Sequence, residues 1–186
     1  MRLHTERLLL RAYADTDAAA LCEAKDVSHD HLKPWMPWAQ ERPTLEKEYG
    51  TIAYLAKKEA DGREWTRGLF LHDGTFIGSS GYKLKDVDVP SYEIGYWLDV
   101  RHTGKGYMQE AVRAQTDYLF KQRGANRVFI QCHAANTASA KVARALEFVQ
   151  EAMLRNERRH IDGTLADSFI FAHTPESWQN TLTKRT

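Results

Sequence analysis

The chain has 186 residues, 42% of them hydrophobic, and its 26 Lys and Arg side chains balance 25 Asp and Glu side chains to a formal net charge of +1. This length suffices for one hydrophobic core without disulfides or a structural metal, and the balanced charge excludes the global field typical of proteins that bind nucleic acid or membrane surfaces. Cys22 and Cys132 are isolated, the N terminus lacks the pattern of a signal peptide, and no apolar run approaches the roughly 20 residues of a membrane span. We therefore expect a cytoplasmic protein without a nucleic-acid or membrane partner.

The first third of the chain predicts one strand and two helices. Residues 7–13 form an apolar run typical of a strand, and Asp15-Thr16-Asp17 offers capping oxygens to a helix that carries Leu21 and Cys22. Residues 29–38 combine two prolines with two tryptophans and have no regular period, which predicts a loop. A second helix is expected over residues 45–60, where Asp61-Gly62 ends it.

Three strands should then form an antiparallel meander. Residues 68–72 and 75–82 flank Asp73-Gly74, a dipeptide that tolerates the positive φ angles of a tight hairpin turn. After a loop that contains a proline, apolar residues recur at every second position from Tyr92 to Leu98, which predicts the third strand.

The hydrophobic period changes to that of a helix across a glycine-rich turn. This helix should run to about Arg123, and residues 127–133 should form the next strand, so that a strand, a crossover helix and a strand predict a parallel pair. Asn136 and Ser139 offer caps to a further helix, and residues 148–159 and 165–173 should form a closing hairpin.

These elements predict a mixed α/β fold. We expect a twisted sheet of about seven strands, mostly antiparallel, with a parallel pair formed by the fourth and fifth strands and with flanking helices. A single domain should cover residues 1–178, followed by a frayed polar tail over residues 179–186.

The turn Arg101-His102-Thr103-Gly104-Lys105-Gly106 has the composition of a phosphate-binding corner. Glycines let a backbone approach an anion closely, and the N terminus of the following helix adds unpaired N–H groups and a partial positive charge. The alternative is a plain glycine turn between a strand and a helix. The spacing fits neither the Walker pattern nor the dinucleotide-binding fingerprint.

The pattern Arg101-x-x-Gly104-x-Gly106 resembles the pyrophosphate loop of the GCN5-related N-acetyltransferases (GNAT). The rest of the chain is similar to the ribosomal-protein alanine/serine N-acetyltransferase (RimJ/RimL-type) branch of that family. The matching segments are Thr5-Glu6-Arg7-Leu8-Leu9-Leu10-Arg11, Leu32-x-x-Trp35-Met36-Pro37-Trp38, Glu93-Ile94-Gly95-Tyr96-Trp97-Leu98 and Asn136-x-x-Ser139.

The resemblance implies the acyl-CoA N-acyltransferase fold, in which the two parallel strands splay apart to admit acetyl-CoA as cosubstrate. An acceptor amine would enter from the opposite side. The residues that the resemblance implies for acetyl-CoA binding are Leu98, Asp99, Val100, Arg101, His102, Thr103, Gly104, Lys105, Gly106, Tyr107, Met108, Asn136 and Ser139.

The implied reaction is direct attack of a neutral amine on the thioester. Glu93, on a core strand next to the turn, is our candidate base, acting directly or through water, although an exposed glutamate on the strand face is the alternative. Ser139 is the candidate acid for the leaving thiolate, and backbone N–H groups from Leu98 to Val100 would stabilise the oxyanion. Glu157 is a candidate base in some relatives of this branch, but its arginine neighbours here predict a solvated face.

Two further features concern the acceptor. Trp35 and Trp38 either anchor a long loop in the core or line the acceptor pocket together with Glu93. His29 and His31 lack the companion ligands that a metal site needs, so we expect no metal.

The implied function is acetylation of the N-terminal α-amine of a protein, such as a ribosomal protein. The alternatives are acetylation of a small amine, such as a polyamine or an aminoglycoside, and a non-catalytic module that binds CoA for regulation. Either a monomer or a homodimer fits the sequence.

Two positions depart from the pattern of the family. Glu147 stands where the family usually has a glycine that ends the helix, and Ala152 replaces a second common glycine. Both changes lie at structural positions, so they concern local turn geometry more than the binding of acetyl-CoA.

Overall fold

The computed structural model of the protein describes residues 1–184. Within that range the strands are β1 (Leu3–His4), β2 (Leu8–Arg11), β3 (Glu64–Leu71), β4 (Phe76–Asp86), β5 (Ser91–Leu98), β6 (Arg127–His133), β7 (Val149–Arg159) and β8 (Leu165–His173). The α-helices are α1 (Ala18–Val27), α2 (His29–Leu32), α3 (Leu45–Ala60), α4 (Tyr107–Gln122), α5 (Thr137–Ala145) and α6 (Pro175–Thr183).

The strands form a mixed sheet with the hydrogen-bonded order β1-β2-β3-β4-β5-β6-β8-β7. Strands β3, β4 and β5 are neighbours in chain order, as expected of a meander, and β5 pairs in parallel with β6 from Ser91–Arg127 to Glu93–Phe129. The parallel ladder ends there, although β5 continues to Leu98 and β6 to His133. The mixed α/β fold with one parallel pair is therefore confirmed, and the short β1 brings the number of strands to eight.

The chain divides into two compact units, and the first comprises Met1–Tyr82 and Tyr96–Ala111. Its core lies between helices α1 and α3 and the strands, where Leu21 and Ile52 pack with Phe70 and Phe76. Helix α3 has the predicted bounds because Thr44 caps it, with its hydroxyl accepting a hydrogen bond from the Lys47 N–H at 3.3 Å.

The segment after α1 is more regular than the predicted loop. It contains the short helix α2 and a 3-10 turn over Pro37–Ala39. The N–H of Leu32 donates to the Ser28 carbonyl at 2.9 Å and that of Lys33 to the His29 carbonyl at 2.8 Å. Pro34 then ends the helix because it has no N–H to donate.

The second unit comprises Lys83–Gly95 and the described residues from Val112 onward. In β6, Val128, Ile130 and Cys132 alternate with less buried residues, as expected of a strand with one face in a core. Ala140 and Ala143 form the buried face of α5.

Helix α6 differs from the expectation of a frayed tail. Thr174 and Ser177 form a capping box around its first turn, and the buried Trp178 donates its indole N–H to Asp117 at 2.8 Å. Residues 179–183 are therefore helical, while Arg185 and Thr186 of the expected tail lie outside the described residues. The single domain remains a prediction. Among the described residues, no helix is long and apolar enough to cross a membrane.

The two departures from the family pattern have different consequences. Glu147 adopts the left-handed conformation, with φ of 59°, at the end of α5. Its N–H donates to the Arg144 carbonyl at 2.9 Å, and the Phe148 N–H donates to the Ala143 carbonyl at 3.0 Å, which is the hydrogen-bond pattern of a Schellman motif. Ala152, which borders a register shift in β7, does not have a positive φ angle, so the missing glycine causes no strain there.

Candidate functional site

The turn between β5 and α4 presents unpaired backbone N–H groups. Gly104 and Gly106 have φ angles of +75° and +80°, which residues with a side chain rarely adopt. The Glu110 N–H donates to the Gly106 carbonyl at 3.1 Å, whereas the N–H groups from Gly104 to Tyr107 have no acceptor within residues 1–184. A Cβ added to Gly104 would meet no atom within 4 Å, so the space in front of this turn is open. The turn can therefore hold a phosphate group through its backbone.

Arg101 does not extend a free guanidinium from this turn. Its Nη2 donates to the buried Asp99 at 2.6 Å, and its Nη1 donates to Glu23 at 2.7 Å. Both carboxylates raise the pKa of Arg101, with Asp99 contributing most. Burial opposes the ionisation of Asp99, but its hydrogen bonds from Arg101 outweigh this effect and lower its pKa. The arginine of the predicted motif thus fixes the turn from within.

A second arginine braces the turn from outside, and the sequence reasoning assigned it no role. Arg7 donates from Nη1 to the Lys105 carbonyl at 3.0 Å and from Nε to Glu110 at 2.6 Å. Its guanidinium also lies 4.7 Å from the centroid of the Tyr107 ring. Only the place of Arg7 in the matching N-terminal segment signalled its importance, because its partners lie about a hundred residues away in the sequence.

Two of the three expected oxyanion donors are already engaged. The Asp99 N–H donates to the Ile77 carbonyl at 2.9 Å, and the Val100 N–H donates to the hydroxyl of the buried Ser28 at 3.0 Å. These two N–H groups therefore have acceptors in this structure, and an oxyanion donor within Leu98 to Val100 stays a prediction. Ser28 is a structural partner of the turn that sequence reasoning missed.

Glu93 occupies the last position of the parallel ladder, opposite Phe129. Its carboxylate pairs with Lys85 at 3.1 Å, and 27% of its side chain is exposed. It is thus neither an isolated surface glutamate nor a fully buried carboxyl group, and an incoming amine would compete with Lys85 for its oxygens.

Asn136 and Ser139 are joined at the start of α5. The Asn136 side-chain oxygen accepts a hydrogen bond from the Ser139 N–H at 3.0 Å, so the capping role is confirmed for Asn136. Burial raises the pKa of the Cys132 thiol, and a hydrogen bond with the Ser139 side chain opposes that rise. The Ser139 hydroxyl therefore lies beside a sulfur atom of the protein itself.

Glu157 is exposed, as its arginine-rich surroundings predict, and it also has a buried hydrogen-bond partner. The strand β7 bulges between Leu154 and Arg158, where Asn156 has a φ of 53°. Bulges redirect side chains, and here Glu157 accepts a hydrogen bond from the hydroxyl of the buried Ser168 at 2.7 Å. This hydrogen bond, followed by the interaction with Arg158, lowers the pKa of Glu157.

The two loop tryptophans have different surroundings. Trp38 lines a cavity of about 340 Å³ in the first unit, and its ring packs edge-on against Trp97 at 5.7 Å. Trp35 is not among the residues that line this cavity. The described residues contain no cluster of three or more His, Cys, Asp or Glu side chains arranged to hold a metal ion.

The chain is similar in sequence to a family of acetyltransferases and to bacterial relatives. The acetyltransferase (GNAT) domain family matches residues 7–149. The uncharacterized N-acetyltransferase p20 of Bacillus licheniformis is 28% identical over 182 residues, which cover 91% of this chain and 94% of that protein. The [ribosomal protein uS5]-alanine N-acetyltransferase of Escherichia coli is 26% identical over 183 residues, or 96% of this chain and 93% of the relative.

The fold also matches solved structures. The RimL ribosomal L7/L12 α-N-protein acetyltransferase, in complex with coenzyme A, superposes with a TM-score of 0.86 at 21% identity. The match covers 95% of this chain and 99% of that structure. The arrangement of the strands and helices is thus shared over nearly the whole length.

Proposed function

We propose, since this chain belongs to the acetyltransferase (GNAT) family and is an acetyl-CoA-dependent N-acetyltransferase, that its acceptor is the N-terminal α-amine of a protein. The observation that carries the proposal is the similarity to the uS5-alanine N-acetyltransferase, which spans 96% of this chain. Ribosomal proteins are the acceptor class that the names of such relatives suggest.

The residues of the turn suit the diphosphate of acetyl-CoA. Unpaired N–H groups from Gly104 to Tyr107 and the N terminus of α4 would bind the phosphate oxygens, with Lys105 adding a charge. Asn136 would hold the pantetheine arm through its amide. Bound acetyl-CoA supplies a thioester that is activated toward amines.

Glu93 is the proposed base for the acceptor amine. An α-amine has a pKa of about 8 and loses its proton more readily than a lysine with a pKa of about 10.4, so a carboxylate that acts through water suffices. The place of Glu93 at the end of the parallel ladder supports this role. Glu157, held by Ser168, is the alternative base.

Ser139 is the proposed proton donor to the leaving thiolate. A thiol leaves with a pKa of roughly 8.5, so it needs only modest acid assistance. Loss of the Ser139 hydroxyl should therefore slow turnover without abolishing it.

The acceptor is tested by release of free CoA across a panel of amines. We expect release with peptides that match ribosomal-protein N termini and none with the same peptides after chemical acetylation of the α-amine. Peptides with a blocked N terminus and one free lysine, polyamines and aminoglycosides complete the panel. Release with a small amine but with no peptide would overturn the proposed acceptor.

The base is tested with a matched pair of variants. Glu93→Gln should lower kcat by about 100-fold, because general bases contribute roughly that factor or more, while the Kd for acetyl-CoA stays unchanged. Glu157→Gln, which neutralises the other carboxylate, should lower kcat less. The reverse order of the two effects would assign the base to Glu157.

A further inference from the structure

Arg7 connects the phosphate-binding turn to the first turn of α4. It donates from Nη1 to the Lys105 carbonyl at 3.0 Å and from Nε to the Glu110 carboxylate at 2.6 Å. Its guanidinium also lies 4.7 Å from the centroid of the Tyr107 ring, a cation–π contact that helps to hold the side chain in place. One planar guanidinium therefore joins a carbonyl of the turn, a carboxylate of the helix and an aromatic ring.

The hydrogen bond to Lys105 determines where a neighbouring N–H group points. The peptide bond between Lys105 and Gly106 is trans and planar, so the Lys105 carbonyl and the Gly106 N–H point in opposite directions. The Gly106 N–H has no acceptor within residues 1–184 and is one of the proposed phosphate donors. Because Arg7 holds the carbonyl at one end of this peptide plane, it also fixes the direction of the donor at the other end.

Without this hydrogen bond, the peptide plane could rotate at low cost. Turns of types I and II differ by such a rotation, which changes the sign of φ at the residue that follows the peptide bond. Gly106 has a φ of +80°, and a glycine accepts either sign. After the rotation, the Lys105 carbonyl oxygen would face the phosphate in place of the Gly106 N–H, and the two negatively charged oxygens would repel each other.

Glu110 and Thr5 hold Arg7 in position. The Glu110 carboxylate accepts hydrogen bonds from the Thr5 hydroxyl at 2.6 Å and from the Arg7 backbone N–H at 2.8 Å. Burial opposes the ionisation of Glu110, but its hydrogen bonds from Thr5 and Arg7 outweigh this effect and lower its pKa. The guanidinium of Arg7 thus also neutralises a carboxylate at the end of the helix where the phosphate would bind.

We propose that Arg7 is a positioning residue for acetyl-CoA, which holds the peptide between Lys105 and Gly106 so that the Gly106 N–H points toward the diphosphate. The inference rests on the proposed role of the turn between β5 and α4. It makes the segment from Thr5 to Leu8 part of the structure that binds the donor, although Arg7 and Lys105 lie 98 residues apart in the sequence.

The test compares the Kd of three ligands, measured by calorimetric titration. CoA has a 3′-phosphate and a diphosphate, dephospho-CoA lacks only the 3′-phosphate, and pantetheine lacks both groups. The wild-type protein should bind CoA and dephospho-CoA more tightly than pantetheine. Arg7→Met should weaken the binding of CoA and dephospho-CoA by the same factor, about tenfold for one misdirected hydrogen bond to a charged group, and leave the Kd of pantetheine unchanged. A general structural defect would weaken the binding of all three ligands.

Arg11 provides a matched control, because it makes the same three kinds of contact with partners outside the turn. It donates to the Asp17 carboxylate at 2.7 Å and to the Ala12 carbonyl at 3.0 Å, and it lies 3.8 Å from the centroid of the Phe70 ring. Arg11→Met should lower the midpoint of thermal unfolding about as much as Arg7→Met but leave the Kd of all three ligands unchanged. An equal loss of CoA affinity in both variants would show that destabilisation alone causes it, and would overturn the inference.

Two further variants separate the geometry of Arg7 from its charge. Arg7→Lys keeps a positive charge beside Glu110 but not the planar fork, so it should still weaken the binding of CoA and dephospho-CoA by about threefold or more. This variant also provides the measurement if Arg7→Met does not fold. The double variant Arg7→Met/Glu110→Gln lacks both charges and should still bind CoA more weakly than the wild type. Wild-type affinity in either variant would show that Arg7 acts only by neutralising Glu110, which would contradict the proposed positioning role.

The outcomes distinguish this inference from the proposed role of the turn. Equal affinity of the wild type for CoA and pantetheine would overturn the proposed role of the turn, and this inference with it. If the wild type prefers CoA, an unchanged Kd in Arg7→Met would overturn this inference alone. A loss of affinity for CoA without a loss for dephospho-CoA would assign Arg7 to the 3′-phosphate and would likewise overturn the positioning of the Gly106 N–H.

Discussion

Gly104 and Gly62 have similar positive φ angles in turns of different function. Their φ angles are +75° and +73°, and a Cβ on either would meet no atom within 4 Å. Gly104 belongs to the proposed phosphate-binding turn, whereas Gly62 follows α3. Substitution of Gly62 therefore measures the effect of backbone strain alone, and substitution of Gly104 measures that effect together with any loss of ligand binding.

Gly104→Ala and Gly62→Ala should each lower the free energy of unfolding by about 1–2 kcal/mol, because an L-residue is strained in this conformation. Only Gly104→Ala should also weaken acetyl-CoA binding, by about tenfold or ~1.4 kcal/mol, since a shifted turn misdirects its N–H groups. Calorimetric titration with CoA and denaturant unfolding measure the two effects. Equal CoA affinity in both variants would show that this turn does not hold the cofactor.

At the scale of residues, the sequence predicts the glycines of the turn but not the role of its charged groups. A glycine pattern is local and reflects the backbone directly. The pairing of Arg101 with Glu23, 78 residues away in the sequence, depends on the packing of α1 against the turn. The hydrogen bond from the Val100 N–H to Ser28 is equally non-local. The sequence alone therefore could not show that this expected oxyanion donor already has an acceptor.

The turn that ends α5 places Glu147 in a backbone conformation that residues with a side chain disfavour. Glu147 supports a Schellman motif in the left-handed conformation that glycine adopts at lower cost. It forms an ion pair with the exposed Lys184 at 3.5 Å, and surface pairs of this kind contribute little.

Glu147→Gly should therefore raise the free energy of unfolding by about 0.5–1 kcal/mol, because relief of strain exceeds the added entropy of the unfolded chain. Asn156→Gly is the matched control, since Asn156 has a φ of 53° and asparagine tolerates that conformation. Asn156→Gly should leave the free energy of unfolding nearly unchanged or lower it. A loss of stability in Glu147→Gly would mean that the glutamate side chain stabilises this turn more than the strain costs.

Elements with local signals were predicted well. Thr44 and Asn136 mark the starts of α3 and α5 through their side chains, and the strand over residues 127–133 has the predicted bounds. Helix α6 was missed because its sequence is polar after Trp178 and its stability comes from burial of that tryptophan. The bulges of β7 arise from pairing with β8, which the sequence of one strand does not reveal.

His173 ties three elements of the second unit together. It lies at the end of β8, donates from Nε2 to the Leu146 carbonyl at 3.1 Å, and its Nδ1 lies 2.8 Å from the Ser177 hydroxyl. Burial lowers its pKa, partly offset by the hydrogen bond to Leu146.

The whole molecule should lose stability as the pH falls below the ordinary pKa of histidine, about 6.5. Because the pKa of folded His173 is lower than that, the unfolded chain binds more protons, so the stabilisation present above this pH is lost as the pH falls through the folded pKa. Denaturant unfolding between pH 7.5 and pH 5 measures this slope. His173→Gln, which keeps a donor for Leu146 but does not titrate, should reduce it, and an unchanged slope would exclude His173 as a source.

The pairing of charges in the first unit has a consequence for the response of the donor substrate to salt. Lys25, Arg42 and Lys47 each have a carboxylate partner, whereas Lys105 in the phosphate-binding turn has no carboxylate partner among the residues described. Added salt screens the attraction between an exposed cation and an incoming anion. Increasing ionic strength should thus raise the KM for acetyl-CoA, because the attraction of Lys105 for the diphosphate weakens.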